Sequence, residues 1–148
     1  MLEFDYTFTV RAPLSRVSAF HHDTRALRQL TPPPIVVQMH DVEPLGEGSR
    51  SEFTLWFGPL PVRWVAVHSD VGKGGFTDRQ ASGPMRHWVH THRFTAEEDG
   101  VTRISEHVEY AHHPGWRGLL SRLLFSRPAL WLLFSYRRFA TRRAVQTG

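Results

Sequence analysis

Two histidines, His90 and His92, are separated by one residue in a stretch whose polarity alternates as in a β-strand. Because successive side chains of a strand point to opposite faces, both imidazoles are expected on the same face. Asp78 has a comparable position in the preceding stretch, and Glu106 has one in the following stretch. Imidazole and carboxylate groups together suit proton transfer near neutral pH or the orientation of a polar ligand group. These four residues are the candidates for chemistry.

The pairing of the predicted strands decides which histidine meets Glu106. A hairpin that sets Phe94 opposite Ile104 also sets His92 opposite Glu106. A register shifted by two residues pairs His90 with Glu106 instead. On its other side, this strand is expected to meet the aspartate near His90 or its neighbour. The three strands thus supply a polar cluster and an apolar ring as candidate ligand-binding residues, namely Phe76, Asp78, Gln80, Trp88, His90, His92, Phe94, Glu106, Val108 and Tyr110.

Three interpretations of this polar cluster stay open. Buried charge is costly unless it is paired and hydrogen-bonded, so the cluster is consistent with a structural network inside the core. A ligand cavity is typically apolar with a few convergent polar groups, so the cluster also suits the orientation of a ligand's polar head. The third interpretation is general acid–base catalysis, although no nucleophile motif accompanies the histidines. No residue is therefore assigned as catalytic.

The sequence also contains candidates for a metal site and for a phosphate-binding loop. Alternate histidines on a strand, with Asp78 or Glu106, have the ligand types of a zinc-like site. The same spacing is common in proteins without a metal, so we expect none. The stretch Gly72-Lys73-Gly74-Gly75 lacks the length and the Lys-Ser/Thr ending of a phosphate loop and is predicted to be a turn. No cofactor is expected. The pairs His21-His22 and His112-His113 are predicted to be exposed at the ends of elements.

The elements that would position the cluster are mostly short strands. Leu2 to Val10 alternates in polarity and predicts a half-buried strand. Two short helices follow, the first opened by Pro13 and the second by Asp23, and Pro32-Pro33-Pro34 ends them. Turn signals at short intervals then predict an antiparallel meander of six strands, which are Ile35 to Val42, Ser51 to Phe57, Val62 to Val71, Phe76 to Ala81, Arg86 to Ala96 and Val101 to His112.

The last third of the chain predicts one long helix. Ser126 is a suitable N-cap, Pro128 is tolerated in the first turn, and the helix is expected to run to about Val145. The spacing of small and apolar residues predicts an inner face, which consists of Ala129, Leu132, Leu133, Tyr136, Ala140 and Ala144. Two of these residues, Leu133 and Tyr136, are further ligand-binding candidates. The predicted outer face is Trp131, Ser135, Arg138 and Arg142.

This outer face suits a contact surface, because tryptophan and arginine are enriched at interfaces. A dimer contact and docking on an anionic membrane are both consistent with it. Alternatively, Trp131 packs under a short helix that contains Trp116, Leu120 and Leu123.

Composition narrows the function classes. The chain has 148 residues, 41% hydrophobic and 12% aromatic, which predicts one packed domain over 1–148. It has no cysteine, which excludes disulfides and thiolate chemistry and fits a cytoplasmic location. The N-terminus resembles no signal peptide, and the richest apolar run is too short to span a bilayer. Seven arginines and no acidic residue lie between Ala111 and the end, which suits a solvated face or a peripheral membrane contact. No nucleic-acid partner is expected, and both a monomer and a homodimer stay open.

The sequence resembles the SRPBCC superfamily, and within it the START-like, polyketide cyclase/dehydrase-like ligand-binding proteins. Three segments carry the resemblance: Gly75-Phe76-x-Asp78-x-Gln80-x-x-Gly83-Pro84-Met85-x-x-Trp88-x-His90-x-His92-x-Phe94, Thr102 to Tyr110, and Leu133-Phe134-x-Tyr136-Arg137.

The resemblance implies an α+β helix-grip fold, in which a curved seven-stranded antiparallel sheet wraps around a long C-terminal helix. It also implies a hydrophobic cavity between sheet and helix. The expected function is the binding, transport or sequestration of a small hydrophobic ligand such as a lipid, isoprenoid or polyketide-like molecule. The alternative is a polyketide cyclase or dehydratase-type enzyme that uses the histidines and carboxylates in the same cavity.

Overall fold

The computed structural model describes residues 1–146, so the last two residues of the predicted domain lie outside the described part. The seven strands are β1 (Leu2–Val10), β2 (Val36–Val42), β3 (Arg50–Phe57), β4 (Leu60–Gly72), β5 (Gly75–Ser82), β6 (His87–Glu98) and β7 (Val101–Ala111). The helices are α1 (Leu14–His22), α2 (Ala26–Gln29), a 3-10 turn (Gly115–Gly118), α3 (Leu119–Leu124) and α4 (Arg127–Val145). Within residues 1–146, no helix combines the length and apolar character needed to cross a bilayer.

All seven strands form one antiparallel sheet in the order β1-β7-β6-β5-β4-β3-β2. Strands β2 to β7 are a meander, because each pairs with the next along the chain. Strand β1 pairs with β7 and forms one edge of the sheet, and its Phe8 lies opposite Ile104. The predicted α+β helix-grip architecture, with two short helices after the first strand, is therefore confirmed.

Strand β1 shows how alternation in the sequence becomes burial. Phe4, Phe8 and Val10 are buried on the face toward α4, while the intervening polar residues are exposed. Leu2 fits the same alternation but is exposed, because it begins a strand at the edge of the sheet.

Helix α4 begins as predicted, since the Ser126 hydroxyl accepts a hydrogen bond from the Ala129 backbone N–H at 3.2 Å. Its inner face differs from the prediction. The buried side chains are Leu130, Phe134, Thr141 and Val145, whereas Leu132 and Ala144 are exposed. Apolar residues flank both sides of the predicted inner face. Their spacing is therefore compatible with two rotations of the helix about its axis, and it did not indicate which one the structure has. The aromatic contacts of Phe134 with Phe4 and Tyr6 accompany the observed rotation.

The prediction for the outer face of α4 is also wrong for most of its residues, because three of the four lie along β1. Tyr6 donates a hydrogen bond to Ser135, and the Arg138 guanidinium lies 5.8 Å from the centre of the Tyr6 ring. Arg142 donates to the Thr9 carbonyl at 3.0 Å. These contacts shield an edge strand whose backbone groups would otherwise be open to pairing. Trp131 is exposed, as predicted.

Candidate functional site

The register of the central strands agrees with the first of the two predicted pairings. His92 lies opposite Glu106 between β6 and β7, and Asp78 lies opposite His90 between β5 and β6. Gly75 permits this close approach of β5 to β6, because a Cβ atom there would lie 1.8 Å from the His92 carbonyl oxygen. The four candidate side chains therefore meet on one face of three adjacent strands.

The side chains cross diagonally rather than meeting only their direct partners. His90 Nε2 is 2.6 Å from Glu106 Oε2, and His92 Nε2 is 2.8 Å from Asp78 Oδ2. His92 Nδ1 is also 3.0 Å from Glu106 Oε2, close enough for an ion pair but without hydrogen-bond geometry. Diagonal neighbours on a sheet face are within reach of long side chains. Both histidines thus contact Glu106, whereas the sequence left one or the other open.

Burial and charge give the two histidines different protonation states. Burial lowers the pKa of His90, and the neighbouring charge of His92 lowers it further. Burial also lowers the pKa of His92, but the Glu106 and Asp78 carboxylates outweigh it and raise that pKa to about 9. At neutral pH the cluster therefore holds a protonated His92 beside a neutral His90.

Both carboxylates stay ionised in this environment. Burial alone raises the pKa of Glu106, but the charges of His92 and His90 hold it well below its usual range. Burial likewise opposes ionisation of Asp78, yet the same histidines lower its pKa overall. Each buried charge is thus paired, as a protein interior requires.

A cavity of about 630 Å³ lies between the sheet and the helices α2, α3 and α4. Asp78, His90 and His92 line it, together with predicted apolar residues on the same strands and on α4. The predicted ligand-binding residues in its wall are Phe76, Asp78, Trp88, His90, His92 and Leu133. Six predicted residues lie outside its wall, namely Gln80, Phe94, Glu106, Val108, Tyr110 and Tyr136.

Each of these six residues has another place in the structure. Glu106 lies behind the two histidines, and Val108 is fully buried in the core. The Gln80 amide exchanges two hydrogen bonds with the Met85 backbone, which braces the turn before β6.

The three aromatic rings among the six pack elsewhere. Phe94 packs against His21 with ring centres 4.6 Å apart, and Tyr110 lies 6.3 Å from Trp88. Tyr136 contacts Phe139, 6.3 Å away on the same helix, outside the cavity. Alternation along a strand places a side chain on the correct face but not at a given depth below the cavity.

Several polar residues of the wall were not predicted to lie there, and two of them, His21 and Arg137, affect the charge of the site. His21 was expected at an exposed helix end, but it is buried and its Nδ1 is 2.9 Å from the Val17 carbonyl oxygen. Burial lowers the pKa of His21 to about 4, so its imidazole is neutral. His21 lies four residues after Val17, so both side chains are on the same face of α1, and this spacing could have indicated that His21 is buried. The other residue, Arg137, belongs to one of the segments that carry the family resemblance, but no role was predicted for it.

Three residues of this wall, Asp78, His90 and His92, have metal-ligand atoms that all lie within 4.8 Å of one another. The donor set fits a two-histidine, one-carboxylate geometry, with Glu106 behind both rings. A metal at this position would have to displace the His92 proton, which already compensates the two carboxylates. A second group on the outer surface, Glu3, His107 and Glu109, is largely exposed.

The raised pKa of His92 predicts a stability that depends on pH. The folded protein holds this proton up to about pH 9, whereas an unfolded chain loses it near 6.5. The contribution is therefore complete below pH 6.5 and lost as the pH rises through 9. We expect the free energy of unfolding to fall by roughly 2 kcal/mol between pH 7 and 9.5, as measured by urea denaturation.

The variant His92→Gln should show a much flatter pH dependence than the wild type. An equally steep fall in this variant would assign the effect to another group.

Solved structures with the same fold include functionally diverse proteins. A protein from Chromobacterium violaceum matches at a TM-score of 0.76 and 14% identity, covering 100% of both chains. A START superfamily protein from Mycobacterium smegmatis matches at 0.72 and 11%, covering 97% of both chains. An aromatase/cyclase from Streptomyces sp. R1128 matches at 0.70 and 15%, covering 96% of this chain and 94% of its own.

The likeness to these structures is one of fold rather than of sequence. Neither a protein-family model nor a curated protein matches the sequence. The structural matches cover nearly the whole chain. This protein therefore has the helix-grip fold of the START superfamily, in agreement with the SRPBCC-like features of its sequence.

Proposed function

We propose that this protein binds a small hydrophobic molecule, such as a lipid, an isoprenoid or a polyketide-like compound, for transport or sequestration. The observation that carries the proposal is the cavity of about 630 Å³ between sheet and helices. Its size is within the usual range for small-molecule sites, roughly 300 to 1,000 Å³. The cytoplasmic location and the oligomeric state stay predictions from the sequence.

The character of the wall supports an apolar ligand with one polar end. Aromatic and aliphatic side chains from β3, β4, α3 and α4 form most of it, among them Phe53, Trp64, Leu124 and Leu130. Asp78 and the two histidines lie together in this wall, which also contains other polar side chains, among them His21, His68 and Arg137. A ligand whose body is apolar would bury that body without leaving the polar cluster unpaired.

A variant that fills the cavity tests this function. Leu133→Trp places a larger side chain in the wall, and Tyr136→Trp is the control on the same helix outside it. We expect native mass spectrometry after mild purification to show a small-molecule adduct on the wild type and the control. Leu133→Trp should lose that adduct and should bind a neutral hydrophobic probe at least about tenfold more weakly, because overpacking excludes the ligand. Identical masses without an adduct, and no probe binding by any of the three, would contradict the proposal.

A second candidate function is acid–base catalysis, and one observation favours it. His90 and His92 both line the cavity, and their environments move the two pKa values in opposite directions. Such a separation is typical of an acid and a base that act as a pair. A cyclase or dehydratase would lose turnover but keep ligand affinity in His90→Gln or His92→Gln. A pure binding protein would show a change in affinity and no turnover to lose.

A further inference from the structure

Arg137 is a cationic side chain in the wall of the predominantly apolar cavity. It lies on α4, half-buried, with its guanidinium 5.3 Å from the centre of the Phe134 ring. Its Nε donates a long hydrogen bond of 3.4 Å to the Leu30 carbonyl. One face and one edge of the guanidinium are thus occupied by the protein.

Within residues 1–146, the outer edge of the same guanidinium has no protein partner. Among residues 1–146, no carboxylate lies within 4.0 Å of Arg137, and neither terminal nitrogen makes a hydrogen bond. By contrast, Arg63 and Arg103 pair with Glu52 and Glu97 on the surface. Burial lowers the pKa of Arg137, which shows that its charge is withdrawn from water. A withdrawn cation with free N–H groups calls for an acceptor.

The neighbouring polar groups do not compete for that acceptor. The His90 and His92 nitrogens already face the Asp78 and Glu106 carboxylates, at distances between 2.6 and 3.6 Å. The charge of one carboxylate is balanced by the His92 proton, and the charge of the other by Arg137. Glu106 and Asp78 both attract the guanidinium at longer range, which raises the pKa of Arg137 against the effect of burial. The terminal N–H groups of Arg137 are therefore the cluster's remaining donors toward the cavity.

We propose that Arg137 binds the polar end of the hydrophobic ligand and that this end is an oxygen acceptor. The inference rests on the proposed function and names the ligand class more closely. A carbonyl oxygen keeps the cavity neutral, whereas a carboxylate gains a bidentate contact with the guanidinium. An ammonium head is disfavoured, since it would meet a fixed cation and offer no acceptor.

The test compares ligands of matched chain length that differ only in the polar end. Dodecanoic acid, 2-tridecanone and dodecylammonium would each displace the neutral probe N-phenyl-1-naphthylamine from wild type, Arg137→Gln and Arg138→Gln. Arg138 is the control, because it is exposed and its guanidinium contacts Tyr6 outside the cavity. Circular dichroism would verify that each variant is folded.

We expect the wild type and Arg138→Gln to prefer the acid or the ketone over the ammonium by about tenfold or more. Arg137→Gln should lose that preference, whatever its affinity for the probe. The rank of acid and ketone distinguishes an ionised from a neutral acceptor. Probe binding with an unchanged preference in Arg137→Gln would overturn this inference alone. No probe binding by the folded wild type would overturn the proposed function and this inference with it.

A second inference concerns an apolar surface at the C-terminal third, which we name the mouth surface. It consists of six large side chains that are between 43% and 79% exposed, namely Trp116, Leu119, Leu120, Leu123, Trp131 and Leu132. Leu123 and Leu132 also line the cavity, so the exposed apolar area continues into it. An apolar area of this kind on a folded protein marks a contact site.

Charge around the mouth surface distinguishes between its potential partners. Of the seven arginines from Ala111 onward, Arg117 and Arg122 belong to the acid-free segment that also carries Trp116, Leu119, Leu120 and Leu123. Arg117 lies 6.0 Å from the Trp116 ring, and Arg122 donates to the Gly115 carbonyl beside it. A second copy of the chain would bring arginines against arginines, whereas an anionic bilayer offers both an apolar layer and opposite charge.

We infer that the mouth surface docks on an anionic lipid bilayer, with its apolar side chains inserted at the headgroup level and the cavity opening toward the lipid. Vesicle sedimentation tests this with phosphatidylcholine alone and with about 30% phosphatidylglycerol, at low and moderate salt. We expect binding to the anionic vesicles only, weakened by salt.

The variant Trp116→Ser/Leu123→Ser should reduce the bound fraction several-fold, because it removes two insertion residues. Phe139→Ser, equally exposed on α4 but outside the mouth surface, should bind as the wild type does. Two results would overturn the inference. One is a wild type that ignores anionic vesicles, and the other is a dimer in light scattering that dissociates in the double variant.

Discussion

Replacement of Glu106 by glutamine is expected to lower the free energy of unfolding by about 3 to 5 kcal/mol. Glu106 Oε2 contacts His90 at 2.6 Å and His92 at 3.0 Å, and all three side chains are at least nine-tenths buried. The glutamine has nearly the same shape, but it leaves the His92 imidazolium with Asp78 as its sole close counter-charge. Urea denaturation at pH 7 measures the change.

Glu109 provides the control on the same strand. It lies 3.6 Å from His87 at the surface, where an ion pair contributes about 1 kcal/mol or less. Glu109→Gln should therefore be nearly neutral. The double variant Glu106→Gln/His92→Gln should recover part of the loss, because the unpaired charge is removed together with its partner. A loss below about 1 kcal/mol in Glu106→Gln would show that charge pairing does not hold the cluster together.

Replacement of Phe134 by alanine is expected to cost about 3 to 5 kcal/mol of stability. Phe134 is fully buried, and its ring centre lies 5.5 Å from Phe4, 6.2 Å from Tyr6 and 5.3 Å from His90. It joins α4 to β1 and to the polar cluster at the same time. Its removal leaves a void that these rings cannot fill without moving. Urea denaturation again measures the effect.

Phe139→Ala is the matched control, because Phe139 lies on the same helix but is 58% exposed. It should cost less than about 1 kcal/mol. Similar losses in the two variants would indicate that α4 is rotated relative to the structure described here. The comparison therefore tests the helix face as well as the energetics of packing.

The polar cluster and Arg137 have different parts in the proposed binding site. Asp78, His90, His92 and Glu106 pair with one another, and Arg137 balances the negative charge that remains on the cluster. Arg137 faces the same cavity with free donors. A site built in this way would select the polar end of a ligand through one side chain and its apolar body through the surrounding wall.

Local periodicity in the sequence was enough to predict the strands and to restrict their pairing to a few arrangements. Alternation marked β1, and turn residues at short intervals marked the hairpins of the meander. Because a tight hairpin allows few registers, the pairing of His92 with Glu106 was among the two predicted arrangements. The N-cap at Ser126 and the exposed Trp131 likewise depend on nearby residues alone.

Contacts between distant parts of the chain decided what the sequence left open. Apolar residues border α4 on several sides, and packing on β1 selected the face with Phe134 rather than the one with Tyr136. The diagonal reach of His90 to Glu106 depends on side-chain conformations that a strand register does not specify. His21 and Arg137 entered the cavity wall because α1 and α4 pack beside it, more than a hundred residues apart in the sequence. Helix rotation and cavity depth are properties of packing among separate elements, so no single stretch of sequence encodes them.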